Sequence, residues 1–432
     1  MSNQEKGKKI SADQIASDEV VQELLEKYDS ESRFRKFAPR TKMAIFVSTV
    51  AILWSAFQLW TAGFGTLEAI KMRAAHLTFV LVLIFLLYPA RKKNMKSLPS
   101  IFDWGLIALS IAVGAYIFIA NDELAMRGGL AITRDYVFGA LAILVVFEGG
   151  RRALGKELPI LGLLFLVYAY LGEYIPGSFG HSGFSLKRII EHMYLGTEGI
   201  FGTALGVSAS YIFLFVLFGA FLGETGMAKF INDSSMALAG TSPGGPAKVA
   251  VFASGLMGTI NGSAVANVAT TGAFTIPLMK SVGYKPHFAG AVEAVASTGG
   301  QIMPPVMGAA AFIMAEFLNI PYKNIMIAAL LPAFLYYLAV FVMVHLEALK
   351  TGLSGIPREE LPSMKVVVKE RGHLVLPLIA IIYLLVKGVT PTYAAFYGII
   401  IAVLASYLRK STRMSFKGIL MAMEMGAKGS IG

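Results

Sequence analysis

The stretch VAVFASGLMGTINGSAVANVATTGAFTIPL, residues 249–278, decides the fold. It contains no charged residue, and Lys248 and Lys280 bracket it. Its centre, GTINGS at 258–263, is a poor helix interior because it contains Gly and Asn. Each arm has about 13 residues and spans roughly 20 Å as a helix. That is shorter than the membrane hydrocarbon core of roughly 30 Å. The pattern therefore predicts a re-entrant hairpin over residues 247–280, with its tip near mid-membrane.

The alternative for this stretch is one long tilted helix whose small residues pack against a neighbouring helix. A single crossing would leave the polar side chains of Asn261 and Ser263 in lipid, and this favours the hairpin. Non-helical backbone at that depth must be buried in protein or must line a watery cavity. We therefore expect the tip to be enclosed by protein or to border such a cavity.

A broken helix is predicted directly after the hairpin, over residues 286–318. Its centre, STGGQIMPP at 297–305, contains two glycines and two prolines, which should unwind a helix. Unwinding frees backbone carbonyls, and hard cations such as sodium are bound by oxygen ligands. The alternative is a proline kink without a ligand. A hairpin followed by a broken helix favours an ion site, because discontinuous helices form the ion sites of secondary transporters.

Glu293 lies in the apolar first arm of this broken helix. An intramembrane carboxylate is a functional candidate by default. The alternative is a buried carboxylate that is tied to a neighbouring Lys, Tyr or helix end, and the sequence leaves both interpretations open. His76, His181 and His287 are expected at interfaces or in loops.

The rest of the chain has the composition of a membrane protein. Of its 432 residues, 56% are hydrophobic and 15% are charged, against roughly 25% charged residues in soluble domains. Apolar runs predict helices that cross the membrane. They cover 43–60, 74–88, 104–120, 136–147, 158–175, 200–222, 325–344, 374–386 and 391–408, and an interfacial helix is expected near 186–194.

Basic residues set the expected orientation. Clusters at 33–42, 91–96, 151–156, 350–371 and 409–413 lie between the apolar runs, and excess Lys and Arg marks the cytoplasmic side. Residues 1–42 are then a cytoplasmic tail with a short amphipathic helix at 12–28. The net charge is +11. Because the basic residues lie between apolar runs and do not form one patch, nucleic acid is not the expected partner. The sequence contains no Walker A pattern that would indicate ATP binding, and it contains no catalytic motif that would indicate an enzyme.

The two central motifs resemble those of a known family. Residues 258–279 look like the first hairpin of tripartite ATP-independent periplasmic (TRAP) transporters, and residues 293–305 look like the broken helix behind it. The amino-acid sequences of both motifs are most similar to those of the TAXI branch. Permeases of this branch often fuse a small four-helix subunit to the large one. By this resemblance, residues 43–157 are the small-subunit-like scaffold and residues 158–432 are the first part of the large permease domain.

The resemblance implies an elevator fold of the ion transporter superfamily in a bacterial or archaeal cytoplasmic membrane, surrounded by lipid. It implies sodium-coupled uptake of a small organic acid, such as a dicarboxylate or keto acid, delivered by a TAXI-type solute-binding protein. Sodium would be held between the hairpin tip and the unwound helix. The positions carried over for sodium are Asn261, Ser263, Gly300, Met303 and Pro305, and those for substrate are Asn267 and Thr271.

The sequence departs from the family in one respect. TRAP permeases contain an inverted second half with its own hairpin and broken helix, which this sequence lacks. We therefore expect a C-terminally incomplete permease that does not transport by itself. Two alternatives remain: a stand-alone sodium-coupled carboxylate carrier, which the four leading spans disfavour, and a non-transporting membrane scaffold subunit.

Overall fold

The computed structural model describes residues 35, 37–38, 40–65, 67–90 and 98–431. Every regular element within these residues is a helix. The chain is an all-α, multi-pass membrane protein, as predicted. The amphipathic helix predicted at residues 12–28 lies outside the described residues, as does most of the predicted tail.

The chain divides into two compact units. The hairpin unit contains residues 218–419, and the described part of the N-terminal unit contains residues 35–217 and 420–431. Residues 158–217 thus cluster with the four leading helices. The domain limit after residue 157, which follows the family resemblance, stays a prediction.

The N-terminal unit consists of long helices and one short helical segment at residues 186–195. Its elements are α1 (Lys42–Phe64), α2 (Ala69–Leu87), α3 (Ile101–Met126), α4 (Thr133–Ala153), α5 (Glu157–Leu171), α6 (Leu186–Ile190) and the first part of α7 (Thr203–Glu224). A π-helical turn, Glu191–Leu195, extends α6. The fully buried Tyr194 in this turn donates its hydroxyl to the carbonyl of Val113 at 2.7 Å. This bond fixes the short segment to α3.

The core of the N-terminal unit contains a polar cluster. His76 is fully buried, and its Nδ1 lies 2.7 Å from Nε2 of Gln58 while its Nε2 lies 3.1 Å from Oγ of Ser208. The rings of Trp54 and Phe213 pack against it, with centroids 5.1 and 6.0 Å away. The expectation of a loop position for His76 is therefore wrong, because it lies within α2; an interfacial position stays a prediction. Its helix turns the imidazole inward, where Gln58 and Ser208 satisfy both ring nitrogens.

A buried ion cluster joins three segments of the same unit. Asp103 accepts from Arg35 at 2.7 Å and from Arg152 at 2.6 Å, and all three side chains are at most 3% exposed. Asp103 also completes a capping box with Ser100 at the start of α3. Such a box satisfies orphan backbone donors at a helix N-terminus, so one carboxylate both caps α3 and pairs two arginines.

The hairpin unit continues from α7 with helices of 4 to 30 residues. They are α8 (Met227–Ala239), α9 (Gly245–Asn261), α10 (Ala264–Asn267), α11 (Ala273–Ser281), α12 (Pro286–Thr298), α13 (Ala309–Leu318), α14 (Tyr322–Thr351), α15 (Met364–Arg371), α16 (Leu376–Val386) and α17 (Pro391–Ser406). The last helix, α18 (Phe416–Gly429), begins in this unit and ends in the N-terminal unit.

Six of the described helices are long and apolar enough to cross a membrane. They are Lys42–Phe64, Ala69–Leu87, Ile101–Met126, Glu157–Tyr174, Thr203–Glu224 and Tyr322–Thr351. The predicted spans at 136–147, 374–386 and 391–408 also form helices, and the first begins earlier than its apolar run, at Thr133. These three are shorter or more charged, so their crossing stays a prediction.

Two helices of the hairpin unit have no counterpart in the predicted spans. Helix α8 mixes apolar residues with Lys229, Asn232 and Asp233, and α15 carries four charged residues in MKVVVKER. Neither contains the long apolar run on which the span prediction depends. Both are recognisable only as amphipathic helices that bury a narrow face.

Candidate functional site

The two arms of the predicted hairpin lie side by side. Helix α9 ends at Asn261, and Gly262 adopts a left-handed conformation with φ of 59°. The hydroxyl of Ser263 then accepts from the amide of Ala266 at 3.3 Å and starts α10. Between the arms, Nδ2 of Asn267 donates to the carbonyl of Ser254 at 2.8 Å. These contacts exclude the single long helix and confirm the break within GTINGS.

The second arm contains a π-helical turn, Val268–Gly272, between α10 and α11. Such turns take one residue more than a regular helical turn and often occur at functional sites. Thr271 lies within the turn and Thr275 follows it in α11. Both side chains are fully buried.

The predicted broken helix is broken where its glycines and prolines lie. Helix α12 ends at Thr298, a 3-10 turn covers Gly299–Ile302, and the chain is non-helical until α13 begins at Ala309. The hydroxyl of Tyr322 donates to the carbonyls of Pro305 and Val306 at 2.9 and 2.6 Å. The segment is therefore held open by a side chain of α14, which a plain kink would not require.

The hairpin tip lies directly on the unwound segment. A β-carbon placed on Gly258 would lie 2.4 Å from Cα of Gly300. A β-carbon on Gly262 would lie 1.9 Å from the carbonyl oxygen of Met307. Real β-carbons do not approach other atoms this closely, so only glycine allows these contacts. The two glycines are the reason that the tip and the unwound backbone meet.

The five predicted sodium ligands lie on these two touching segments. Oδ1 of Asn261 is buried and has no hydrogen-bond partner within the described residues. The carbonyl of Gly300 accepts from the amide of Met303 at 3.2 Å, and that of Pro305 accepts from Tyr322. A carbonyl oxygen has two lone pairs, so these bonds leave room for a cation. The hydroxyl of Ser263 is already used to cap α10.

Asn267 and Thr271, the predicted substrate residues, are fully buried and bonded inside the hairpin. The hydroxyl of Thr271 donates at 2.8 Å to the carbonyl of Asn267 and also contacts Glu293. Both side chains therefore have protein partners in this conformation. Their role towards a substrate stays a prediction.

Glu293 is the centre of a buried hydrogen-bond network that the sequence did not reveal. Its Oε1 accepts from Ser254 and Ser297, both at 3.1 Å, and from Thr271, while its Oε2 accepts from Thr275. In the part of the chain that the structure describes, its partners are hydroxyls and not a Lys, Tyr or helix end. Because Ser254 lies in the first arm and the threonines in the second, Glu293 ties both arms to α12.

Comparison with known proteins gives a consistent family. Residues 141–431 match the family model "Tripartite ATP-independent periplasmic transporter, DctM component", which covers more than half of the chain. The match begins within α4 and contains the hairpin and the broken helix.

Several curated proteins are similar over part of the chain. "2,3-diketo-L-gulonate TRAP transporter large permease protein YiaN" of Escherichia coli is 30% identical over 44% of the chain and 45% of its own length. "Isethionate TRAP transporter permease protein DctMQ" of Oleidesulfovibrio alaskensis is 26% identical over 56% and 39%. "Uncharacterized protein YgiK" of Salmonella typhimurium is 27% identical over 55% and 53%. The chain spans about half the length of these relatives, or less.

Proposed function

Because this chain belongs to the DctM family of TRAP transporter components, we propose that it is the permease part of a sodium-driven secondary transporter that imports a small organic acid. Two of the relatives described above are named as TRAP transporter permease proteins. In this proposal the uptake requires an extracytoplasmic solute-binding protein of the TAXI type.

One observation carries the proposal, namely the backbone contact between the hairpin tip and the unwound helix. Gly258 packs on Gly300 and Gly262 packs on Met307. In the hydrocarbon region, non-helical backbone is tolerated only where it is enclosed or lines a cavity. Two such segments in contact concentrate carbonyl and amide oxygens at one place. A static scaffold subunit has no need of this arrangement.

Sodium fits the oxygen groups at this contact. Asn261 supplies a buried amide oxygen that has no donor among the described residues, and the unwound stretch supplies the carbonyls of Gly300, Met303 and Pro305. Hard cations prefer oxygen ligands, and amide and carbonyl oxygens are among them. When bound, sodium would neutralise part of the charge of an anionic substrate. The residues of the tip would hold the ion, and the glycines would keep both segments close enough to share it.

An organic anion is the substrate class that the chemistry supports. Helix α13 begins immediately after the unwound segment, and a helix N-terminus favours negative charge. The names of two relatives specify 2,3-diketo-L-gulonate and isethionate, which are both organic anions. We propose a small organic acid, such as a dicarboxylate or keto acid, for this protein.

The leading helices suggest a fused architecture. The family match starts at residue 141, so α1–α3 lie ahead of it. We propose that these helices and α4 correspond to a small subunit joined to the large one, in the manner of the TAXI branch. A fixed scaffold of this kind would support an elevator movement of the hairpin unit.

The decisive experiment is reconstitution. The protein is placed in liposomes together with a TAXI-type solute-binding protein. Uptake of labelled organic acids that requires both an inward sodium gradient and the binding protein would support the proposal. Equal uptake with choline in place of sodium would contradict the coupling ion. Full activity without the binding protein would favour a stand-alone carrier. Unchanged uptake by Asn261→Ala and Gly300→Ala variants would show that the hairpin tip takes no part in transport.

A further inference from the structure

The carboxylate of Glu293 has no counter-charge among the described residues. It is fully buried, and its hydrogen-bond partners are the hydroxyls of Ser254, Thr271, Thr275 and Ser297. None of the ion pairs found in the described part of the chain includes it. An ionised group inside a membrane protein is costly unless it is paired. Glu293 therefore needs either a proton or a bound cation.

The surroundings of Glu293 form an oxygen cage. The two carboxylate oxygens and four hydroxyl oxygens come from three helical segments, α9, the second hairpin arm and α12. The hydroxyls of Ser254 and Ser297 each lie 3.1 Å from the same carboxylate oxygen. A proton needs only one acceptor, whereas a hard cation needs several converging oxygens. The number and origin of the oxygens favour a cation.

Each threonine can turn its hydroxyl proton away from the carboxylate. Thr271 has a second acceptor in the carbonyl of Asn267 at 2.8 Å, and Thr275 has one in the carbonyl of Thr271 at 3.0 Å. Ser254 can donate to the hydroxyl of Thr271 at 3.2 Å. A hydroxyl carries one donor proton and two acceptor lone pairs. When a cation enters, these groups can therefore point lone pairs inward and keep their protons bonded.

We propose that Glu293, Ser254, Thr271, Thr275 and Ser297 form a monovalent-cation site, separate from the site at the hairpin tip. The choice of sodium as its ion rests on the proposed function. The site lies between both arms of the hairpin and α12, so an ion bound there holds the three segments together. Occupancy then makes the hairpin and the first half of the broken helix one rigid piece.

The test is a count of bound sodium. The purified 432-residue chain is equilibrated with sodium-22 in detergent, with choline replacing sodium at constant ionic strength. We expect Glu293→Gln to bind one sodium ion fewer per chain than the wild type. The matched control is Glu316→Gln, which removes the same charge from an exposed position in α13 and should bind as the wild type does.

Two milder variants keep the test valid if Glu293→Gln does not fold. Thr275→Val is nearly isosteric and removes one oxygen, and Ser297→Ala removes another. Each should weaken the affinity for this sodium about tenfold, because a polar contact to a charged group contributes on that scale. Unchanged stoichiometry and affinity in these variants would overturn the site.

The two sodium sites can fail separately. Asn261→Ala should lose the sodium ion at the hairpin tip and retain the one at Glu293. If this variant still binds as many sodium ions as the wild type, the tip site of the proposed function is contradicted and the site at Glu293 is not. A protonated carboxylic acid would appear as an infrared C=O stretching band. If that band persists in saturating sodium at neutral pH and disappears in Glu293→Gln, a proton occupies the site and the cation proposal is wrong.

Discussion

Gly258 of α9 and Gly300 of the unwound segment meet backbone to backbone. A β-carbon on Gly258 would lie 2.4 Å from Cα of Gly300, and one on Gly300 would lie 2.8 Å from Cα of Gly258. We predict that Gly258→Ala lowers the free energy of unfolding by about 1–3 kcal/mol through overpacking. Thermal unfolding in detergent measures this.

Gly290→Ala is the matched control for this prediction. Gly290 lies within α12, and a β-carbon there would have no neighbouring atom within 4 Å. Alanine is the better helix former by up to about 1 kcal/mol, so this variant should be neutral or slightly stabilised. Equal effects of the two substitutions would show that the contact with Gly300 is not what constrains residue 258.

The second prediction concerns Tyr322, whose hydroxyl bonds the carbonyls of Pro305 and Val306. Tyr322→Phe keeps the ring stacked on Phe312, whose centroid is 4.3 Å away, but leaves both buried carbonyls without this donor. We expect a loss of about 1–3 kcal/mol in the free energy of unfolding. Tyr336→Phe, whose hydroxyl bonds an exposed carbonyl of Val295, should lose less than half of that amount. A neutral Tyr322→Phe would mean that other groups hold the unwound segment.

The third prediction concerns the buried ion cluster of the N-terminal unit. Asp103→Asn leaves Arg35 and Arg152 buried without their anion, and removal of one partner from a buried pair costs about 3–5 kcal/mol. Asp122→Asn is the control, because Asp122 pairs with Lys71 while its own side chain is 65% exposed. Exposed ion pairs contribute little to stability because solvent and salt screen them, so this variant should unfold almost as the wild type does. Chemical unfolding of both variants should separate them clearly.

The fourth prediction is a pH dependence at His373, which precedes α16. Its Nε2 lies 2.8 Å from Oγ1 of Thr412, and burial, with the nearby Arg409 and Arg371, lowers its pKa below 6.5. The folded protein then binds this proton less readily than the unfolded chain does. Stability from this group is fully present above pH 6.5 and is lost as the pH falls through the lower folded value. His373→Gln should flatten unfolding profiles over that acidic range, and an unchanged slope would contradict the assignment.

The breaks in the helices could be predicted from sequence, because the residues that cause them act locally. Gly262 ends α9 in a left-handed conformation, and the Gly-Gly and Pro-Pro pairs unwind the chain between α12 and α13. Glycine permits backbone conformations that other residues avoid, and proline removes a backbone donor and disrupts a helix interior. The positions of the hairpin tip and of the unwound segment therefore follow from a few neighbouring residues in each.

The partners of Glu293 could not be predicted in the same way. Ser254, Thr271 and Ser297 lie 39, 22 and 4 residues from it in sequence, and their meeting depends on how three segments pack. The burial of His76 is a similar case, since Gln58 lies on another helix and Ser208 lies 132 residues away. Hydropathy marks which segments enter the membrane and does not say which polar side chains find each other there.

The π-helical turn at Val268–Gly272 has a consequence for comparisons between relatives. Such a turn contains one residue more than a regular helical turn, and it accommodates that residue without moving the flanking residues onto another face of the helix. Loss of one residue here would restore a regular helix, with about 100° of rotation per residue, and leave Thr275 facing Glu293. A relative with a one-residue gap within this turn can therefore still present the same face of its helix to α12.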